Sequence, residues 1–335
     1  MEKRRQTRKK KKSLTPWLIL EVAVLLIILA VIVFVVLPTV KEPTLAPEVQ
    51  ASTTGTTALE TTEPAPTWMT FPQERQLTAQ QAFVYNVDTG EFTFLLGKKT
   101  DRVYPASITK LFTAHVALQF LEPEQQIVAG DVLELVGAGS SVAQIEKGDT
   151  LTVEQLVEAM LLPSGNDAAY MLADAAGRII AEDNTISAWD AVAAFIKEMN
   201  GQVRAMGLHG THFTNPDGYH SADHYTTFAD LVKISEKVVQ NPTIMKYAVV
   251  ANETVTLASG EKQWKNTNQL INPQSQYYCP FATGLKTGQT PSAGSCLLSS
   301  FTYEGRQWIV GVFGCPDVED RFADTLQLFN EALEG

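Results

Sequence analysis

Pro105-Ala106-Ser107-Ile108-Thr109-Lys110 sets a hydroxyl and an amine three residues apart at the head of an apolar run: Leu111, Phe112, Ala114, Val116, Ala117, Leu118, Phe120 and Leu121. Three residues are nearly one helical turn, so the spacing predicts that Ser107 and Lys110 share a face of a helix whose apolar side is buried. A serine hydroxyl is a weak nucleophile until a base takes its proton, and a desolvated lysine is such a base. By itself the tetrad is weak evidence, because Ser-x-x-Lys also occurs as a solvated face or a cap.

Two later stretches give it weight. Ser164-Gly165-Asn166 follows an amphipathic run, and Lys286-Thr287-Gly288 lies within residues 283–290, which read as an edge strand. Ser-x-x-Lys, Ser-x-Asn and Lys-Thr-Gly, in that order, form the signature of penicillin-binding proteins and class A β-lactamases. On these motifs the chain resembles the serine-type D-alanyl-D-alanine carboxypeptidases, the low-molecular-mass penicillin-binding proteins, from about Thr78 to the C-terminus.

The resemblance implies roles for particular residues. Ser107 would attack the carbonyl between two D-alanines with Lys110 as base, and burial together with a nearby positive Lys286 would keep Lys110 neutral. Ser164 would relay the proton to the leaving amine, and Asn166 would hydrogen-bond the substrate backbone. Lys286 and Thr287 would hold the terminal carboxylate, Gly288 would let the substrate strand approach, and the N–H groups of Ser107 and Gln289 would form the oxyanion hole. It also implies a peptidoglycan stem peptide as substrate, β-lactam antibiotics as inhibitors, and neither cofactor nor metal.

The N-terminal region carries a different message. Of 26 basic and 37 acidic residues, eight basic ones but only Glu2 and Glu21 fall in residues 1–37. The remainder stands at about −17, which argues against nucleic-acid binding through a basic patch. Residues 17–37 are apolar apart from Glu21, long enough to cross a bilayer, and lack the short apolar region and small-x-small cleavage site of a signal peptide. The basic cluster before them predicts residues 1–16 as a cytoplasmic tail and places everything after residue 37 outside. A single-pass bacterial membrane protein is therefore expected. Residues 38–76, rich in Thr, Pro, Glu and Ala, read as a tether reaching roughly 35 Å.

Residues 77–335 are the expected carboxypeptidase domain. They open with a hairpin of strands 82–87 and 92–96 around Asp88-Thr89-Gly90. After the Ser107 helix, Thr152 precedes Val153, Leu156, Val157, Met160 and Leu161, one apolar helical face that stops at Pro163. Ser164-Gly165-Asn166 is then a turn, and Asp167 begins the next helix. Helices follow over 189–206 and 228–239, with a loop over 211–219 read as structural. Strands at 254–258, 283–290, 294–302 and 307–314 precede a final amphipathic helix that opens at Asp317. Strands at both ends enclosing a helical middle predict an α+β fold, with one antiparallel sheet flanked by helices plus a helical subdomain. This is the β-lactamase and penicillin-binding-protein architecture, here preceded by a transmembrane helix and expected to lack the extra β-rich domain and C-terminal amphipathic anchor of many relatives.

Other chemistries find less support. His209, His212, His220 and His224 cluster, but no His-Glu-x-x-His accompanies them, so they are expected as solvated or capping residues. Cys279, Cys296 and Cys315 stand beside no histidine base in the motifs and read as small apolar residues, with room for one disulfide of undetermined pairing. A β-lactamase would usually carry Ser-Asp-Asn and a water-activating glutamate, whereas residue 165 is glycine and no such glutamate loop is evident. A wall-binding or antibiotic-sensing module that acylates without turnover is the remaining alternative.

Overall fold

The computed structural model describes residues 76–334. The expected cytoplasmic tail, the apolar span and all but the last residue of the tether lie outside them. Among the described residues no helix is long and apolar enough to cross a membrane.

The chain enters as a hairpin, β1 (Gln81–Asn86) and β2 (Glu91–Leu96), then passes β3 (Arg102–Val103) to a 3-10 turn, Ala106–Ile108, that runs directly into α1 (Thr109–Ala117). Next come β4 (Gln126–Val128), β5 (Thr150–Thr152), α2 (Val153–Leu161), α3 (Asn166–Ile180), α4 (Ala188–Ala205), β6 (Thr226–Thr227), α5 (Phe228–Val238) and α6 (Pro242–Ala248). A ribbon of β7 (Asn252–Leu257) and β8 (Gly260–Lys265) leads to three long strands, β9 (Ala282–Thr290), β10 (Gly294–Tyr303) and β11 (Arg306–Cys315), and to α7 (Asp320–Glu334).

The main sheet has the order β2-β1-β11-β10-β9 and all its pairings are antiparallel. The two ends of the described residues therefore meet in one sheet, with Val84 opposite Val310. Strand alternation explains why its central strands are apolar on both faces. Ala82, Val84, Leu297, Val310 and Val312 pack with Phe322, Leu326 and Phe329 of α7, whereas Phe83, Tyr85, Leu298, Ile309 and Phe313 belong to the larger core shared with α1 to α5. β9, at the open edge, borders the helical region and carries the Lys-Thr-Gly stretch.

Two expectations need correcting. The strand at 254–258 does not join the main sheet: β7 pairs only with β8, and the ribbon lays Val255, Leu257 and Trp264 on the helical core while Asn252, Glu253 and Thr254 stay exposed. The cysteines form no disulfide; Cys279, Cys296 and Cys315 are free and buried, and burial pushes their thiols up to about 11, 11 and 12.

Candidate active site

The Ser107 turn is held from three sides. Ala106, just before it, has φ of 47°, a left-handed conformation that a side chain rarely adopts and that surrounding structure must enforce. On one side lies Gly218, with φ of 82°, so close that a Cβ would fall 1.8 Å from the Ala106 carbonyl oxygen. On the other lies Gly288 of β9, whose Cβ would fall 2.8 Å from the Pro105 carbonyl oxygen. The glycine of Lys-Thr-Gly thus makes room for the nucleophile's own turn, a function not foreseen from the sequence. Below, α1 carries Lys110 fully buried, its Nζ donating to Ser107 Oγ at 2.8 Å and to the Asp217 carbonyl at 2.8 Å.

Lys110 is pushed down to about 8, first by burial, with the carboxylates of Asp217 and Asp167 opposing the shift. The expected influence of Lys286 runs the other way: burial, then the charges of Lys110 and Arg321, lower Lys286 well below the usual lysine range. An incoming carboxylate would relieve this by supplying the missing counter-charge.

The second motif sits where α2 stops. Thr152 starts α2 with a capping box, its Oγ accepting from Gln155 N–H while Gln155 Oε1 accepts from Thr152 N–H. Ser164 then turns the chain at φ of 64°, and Gly165 caps α3, which begins at Asn166, one residue before the expected start. Ser164 is buried, and Asn166 and Ser107 line the same cleft of about 430 Å³. Asp167 fixes the opposite wall: its carboxylate accepts from the N–H groups of Ala143 and Ile145, and Asn166 N–H donates to the Ser141 carbonyl.

The third motif lines up along β9. Gln289 reaches the cleft, whereas Lys286, Thr287 and Gly288 are buried in the wall behind it. Thr287 Oγ1 is 2.6 Å from Thr267 Oγ1, and Lys286 Nζ lies 3.4 Å from the same threonine oxygen and 3.3 Å from the Thr287 carbonyl. Thr267 N–H in turn donates to the Leu162 carbonyl, tying β9 to the end of α2. Arg321 of α7, buried and pushed down to about 10 by burial, donates through Nη1 to the Gly288 carbonyl at 3.4 Å.

Sequence reading missed Thr267, Arg321 and the loop over residues 211–219. That loop, expected as merely structural, supplies the carbonyl that receives Lys110 and puts Asp217 and Tyr219 on the cleft, with His220 directly after it. Its anchor is His224, which is buried and not solvated. Nδ1 accepts from Thr214 N–H, leaving Nε2 to donate to Thr109 Oγ1 at 2.8 Å, between the nucleophile and the base. Burial lowers His224 to about 3, so the imidazole is neutral. Among the described residues, no group of three or more His, Cys, Asp and Glu side chains is placed to hold a metal ion.

A family model for D-alanyl-D-alanine carboxypeptidases matches residues 68–317. The D-alanyl-D-alanine carboxypeptidase of Streptomyces strain K15 is 33% identical over 73% of this chain and 84% of its own length. A Bacillus subtilis counterpart is 26% identical over 76% of this chain and 62% of its own length, so this chain spans under two thirds of that relative. Among solved structures, the Streptomyces K15 DD-transpeptidase matches with a TM-score of 0.69 at 30% identity, over 78% of this chain and 99% of that one. Penicillin-binding protein D2 of Listeria monocytogenes, in its cefotaxime-bound form, matches with a TM-score of 0.63 at 27% identity, over the same two shares.

Proposed function

The chain belongs to the serine-type D-alanyl-D-alanine carboxypeptidase family, and from that premise we propose how its residues divide the work. The enzyme hydrolyses the terminal D-alanine of peptidoglycan stem pentapeptides. Ser107 Oγ attacks the penultimate carbonyl as Lys110 Nζ takes its proton; Ser164 passes that proton to the leaving amine; water then releases the acyl group. Asn166 orients the peptide, Lys286 and Thr287 receive the terminal carboxylate, and the N–H groups of Ser107 and Gln289 hold the oxyanion. The observation that carries this reading is the 2.8 Å contact from a fully buried lysine to a serine on the floor of an open cleft.

The apolar residues 17–37 and the basic cluster before them support an uncleaved membrane anchor with the catalytic domain outside the cell, and residues 38–76 a tether into the wall. β-Lactams imitate the D-Ala-D-Ala terminus and acylate Ser107, but their leaving amine stays tethered and obstructs water. The test is to incubate the purified chain with a D-Ala-D-Ala pentapeptide and, separately, a fluorescent penicillin. Release of D-alanine, with penicillin bound covalently for minutes or longer, is expected. Fast repeated penicillin hydrolysis without D-alanine release would make it a β-lactamase; labelling with neither turnover would make it a sensing module.

A further inference from the structure

Lying 2.8 Å from Ser107 Oγ is not enough to make Lys110 a base; its lone pair must also face the serine proton. A neutral lysine nitrogen carries two N–H bonds and one lone pair at the end of a flexible four-carbon stem, so whatever accepts the N–H bonds sets where the lone pair points. A carbonyl oxygen only accepts, and the Asp217 carbonyl, 2.8 Å from Nζ, therefore claims an N–H and turns the lone pair away from itself. The aim of the base thus follows the aim of one peptide group, that between Asp217 and Gly218.

This peptide is gripped at both ends. Its C=O receives Lys110, and its N–H, on Gly218, donates to Asn215 Oδ1 at 2.7 Å. In a planar trans peptide the C=O and N–H point in opposite directions, so a side chain that fixes the N–H also fixes the C=O. The grip matters because glycine, here at φ of 82°, lets the adjoining peptide turn more freely than any other residue would. Asn215 braces the far side as well, its Nδ2 donating to the Tyr219 carbonyl at 2.8 Å. From α1, Thr113 Oγ1 donates to the Pro216 carbonyl at 2.6 Å and holds the loop one residue earlier. Gly218 itself abuts the nucleophile, since a Cβ there would fall 2.9 Å from the Ser107 nitrogen. One short stretch of loop therefore locates nucleophile and base with respect to each other.

Resting on the acyl-Ser107 reading above, we propose that Asn215 is a positioning residue for the base. By holding the Gly218 N–H it aims the Asp217 carbonyl at Lys110, and thereby the Lys110 lone pair at the Ser107 hydroxyl. The serine proton then passes to Nζ as Oγ bonds to the substrate carbonyl carbon and the carbonyl electrons move to the oxyanion. Asn215 bonds to neither Ser107 nor Lys110; its partners are Thr214, Gly218 and Tyr219. A misplacement of about 1 Å costs a reaction about 100-fold, which bounds the effect of losing it. The charged or titratable groups facing Lys110 are Asp217, Asp167, His224 and Lys286, and replacing Asn215 leaves all four in place. Losing the carbonyl acceptor disfavours the Lys110 ammonium, so the acylation profile should shift to lower pH as its plateau falls.

The experiment uses the full chain in detergent as wild type, Asn215→Ala, Asn215→Asp and Ser187→Ala, the last removing a cap of α4 that does not line the cleft. Stopped-flow labelling over a range of fluorescent penicillin concentrations, between about pH 6 and 10, separates non-covalent binding from the acylation step. For Asn215→Ala the plateau rate of acylation should fall by about 10- to 100-fold and the midpoint should move to lower pH, while the half-saturating penicillin concentration stays within about threefold. Asn215→Asp keeps an oxygen to accept from Gly218, so its plateau should hold within about threefold, and its added negative charge should move the midpoint up. Ser187→Ala should lower the thermal midpoint but keep the wild-type plateau and profile. A plateau for Asn215→Ala within about threefold of wild type, an equal fall in Asn215→Asp, or an unmoved midpoint in Asn215→Ala would overturn the proposal. Should Asn215→Ala not fold, Asn215→Gly, which suits a turn and also lacks the acceptor, is read against the same limits. Absence of any label on wild-type Ser107 would instead overturn the acyl-serine reading.

Discussion

Ser107→Ala removes the nucleophile without disturbing the core, so penicillin labelling should vanish and D-alanine release should fall by about 10⁴ or more. A mass shift on adding penicillin to that variant would refute the assignment. Lys110 adds a pH signature. It must be neutral to accept the Ser107 proton, and its pKa of about 8 means that acylation should climb about tenfold per pH unit below 8 and level off above it. Stopped-flow labelling across pH 6 to 10 checks this, and a profile flat below 8 would remove Lys110 as base. His224 titrates in the opposite sense to a paired histidine. Its folded value of about 3 lies below the unfolded value of about 6.5, so the unfolded chain takes the proton first as pH falls. Its neutral contacts stabilise the fold fully above about 6.5, and that contribution fades toward pH 3. The stability gap between wild type and His224→Gln should therefore narrow in acid, as chemical denaturation at pH 7 and pH 4.5 would show. The Ser107–Lys110 contact and the placing of Asn166 and Gln289 on one cleft were legible in the sequence because short motifs carry them. Asp217, His224, Thr267 and Arg321 were not, because each matters through a partner far along the chain: Lys110, Thr109, Thr287 and the Gly288 carbonyl.

Three helices, α2, α4 and α5, were legible to within a residue or two, since each carries an apolar stripe and a capping side chain at Thr152, Ser187 and Thr227, whereas Ser107 lies in a 3-10 turn ahead of α1, α7 opens at Asp320 and not Asp317, and α6 was not expected. The ribbon was not: Gly260-Glu261-Lys262-Gln263-Trp264-Lys265 is too polar to announce a strand, and β8 exists because Trp264 is drawn into the core with Nε1 bound to the Ala143 carbonyl. Caps give the test at this scale. Thr152→Ala removes one side of the capping box and should lower stability by about 1 kcal/mol, read as a drop in thermal midpoint. Because α2 ends at the Ser164 turn, acylation by penicillin should slow more than the same loss of stability placed in α7 would slow it. Equal slowing in both cases would show that α2 only adds stability.

At the scale of the whole molecule, the proposed topology predicts that protease added to intact cells cuts within residues 38–76 and frees an active domain. A mature chain beginning near residue 40, or a protected domain, would reject the anchor. The meeting of both ends of the described residues in one sheet was legible from the placement of strands in the sequence, but not how firmly it is sealed. Thr78 and Ala79 both donate backbone N–H groups to one carboxylate oxygen of Asp324 in α7, at 2.9 and 2.8 Å. That wiring bears on biosynthesis. Strand β1 lies between β2 and β11, and β11 ends at Cys315. The first of the described strands thus waits for the last, a contact pattern of high sequence separation that delays folding until the chain is nearly complete. Under the proposed topology the polypeptide threads a translocation pore before folding, and such a delay serves it. A ribosome or pore that stalls short of β11 would hold an unsealed sheet edge, exposed to proteases before it ever becomes an enzyme.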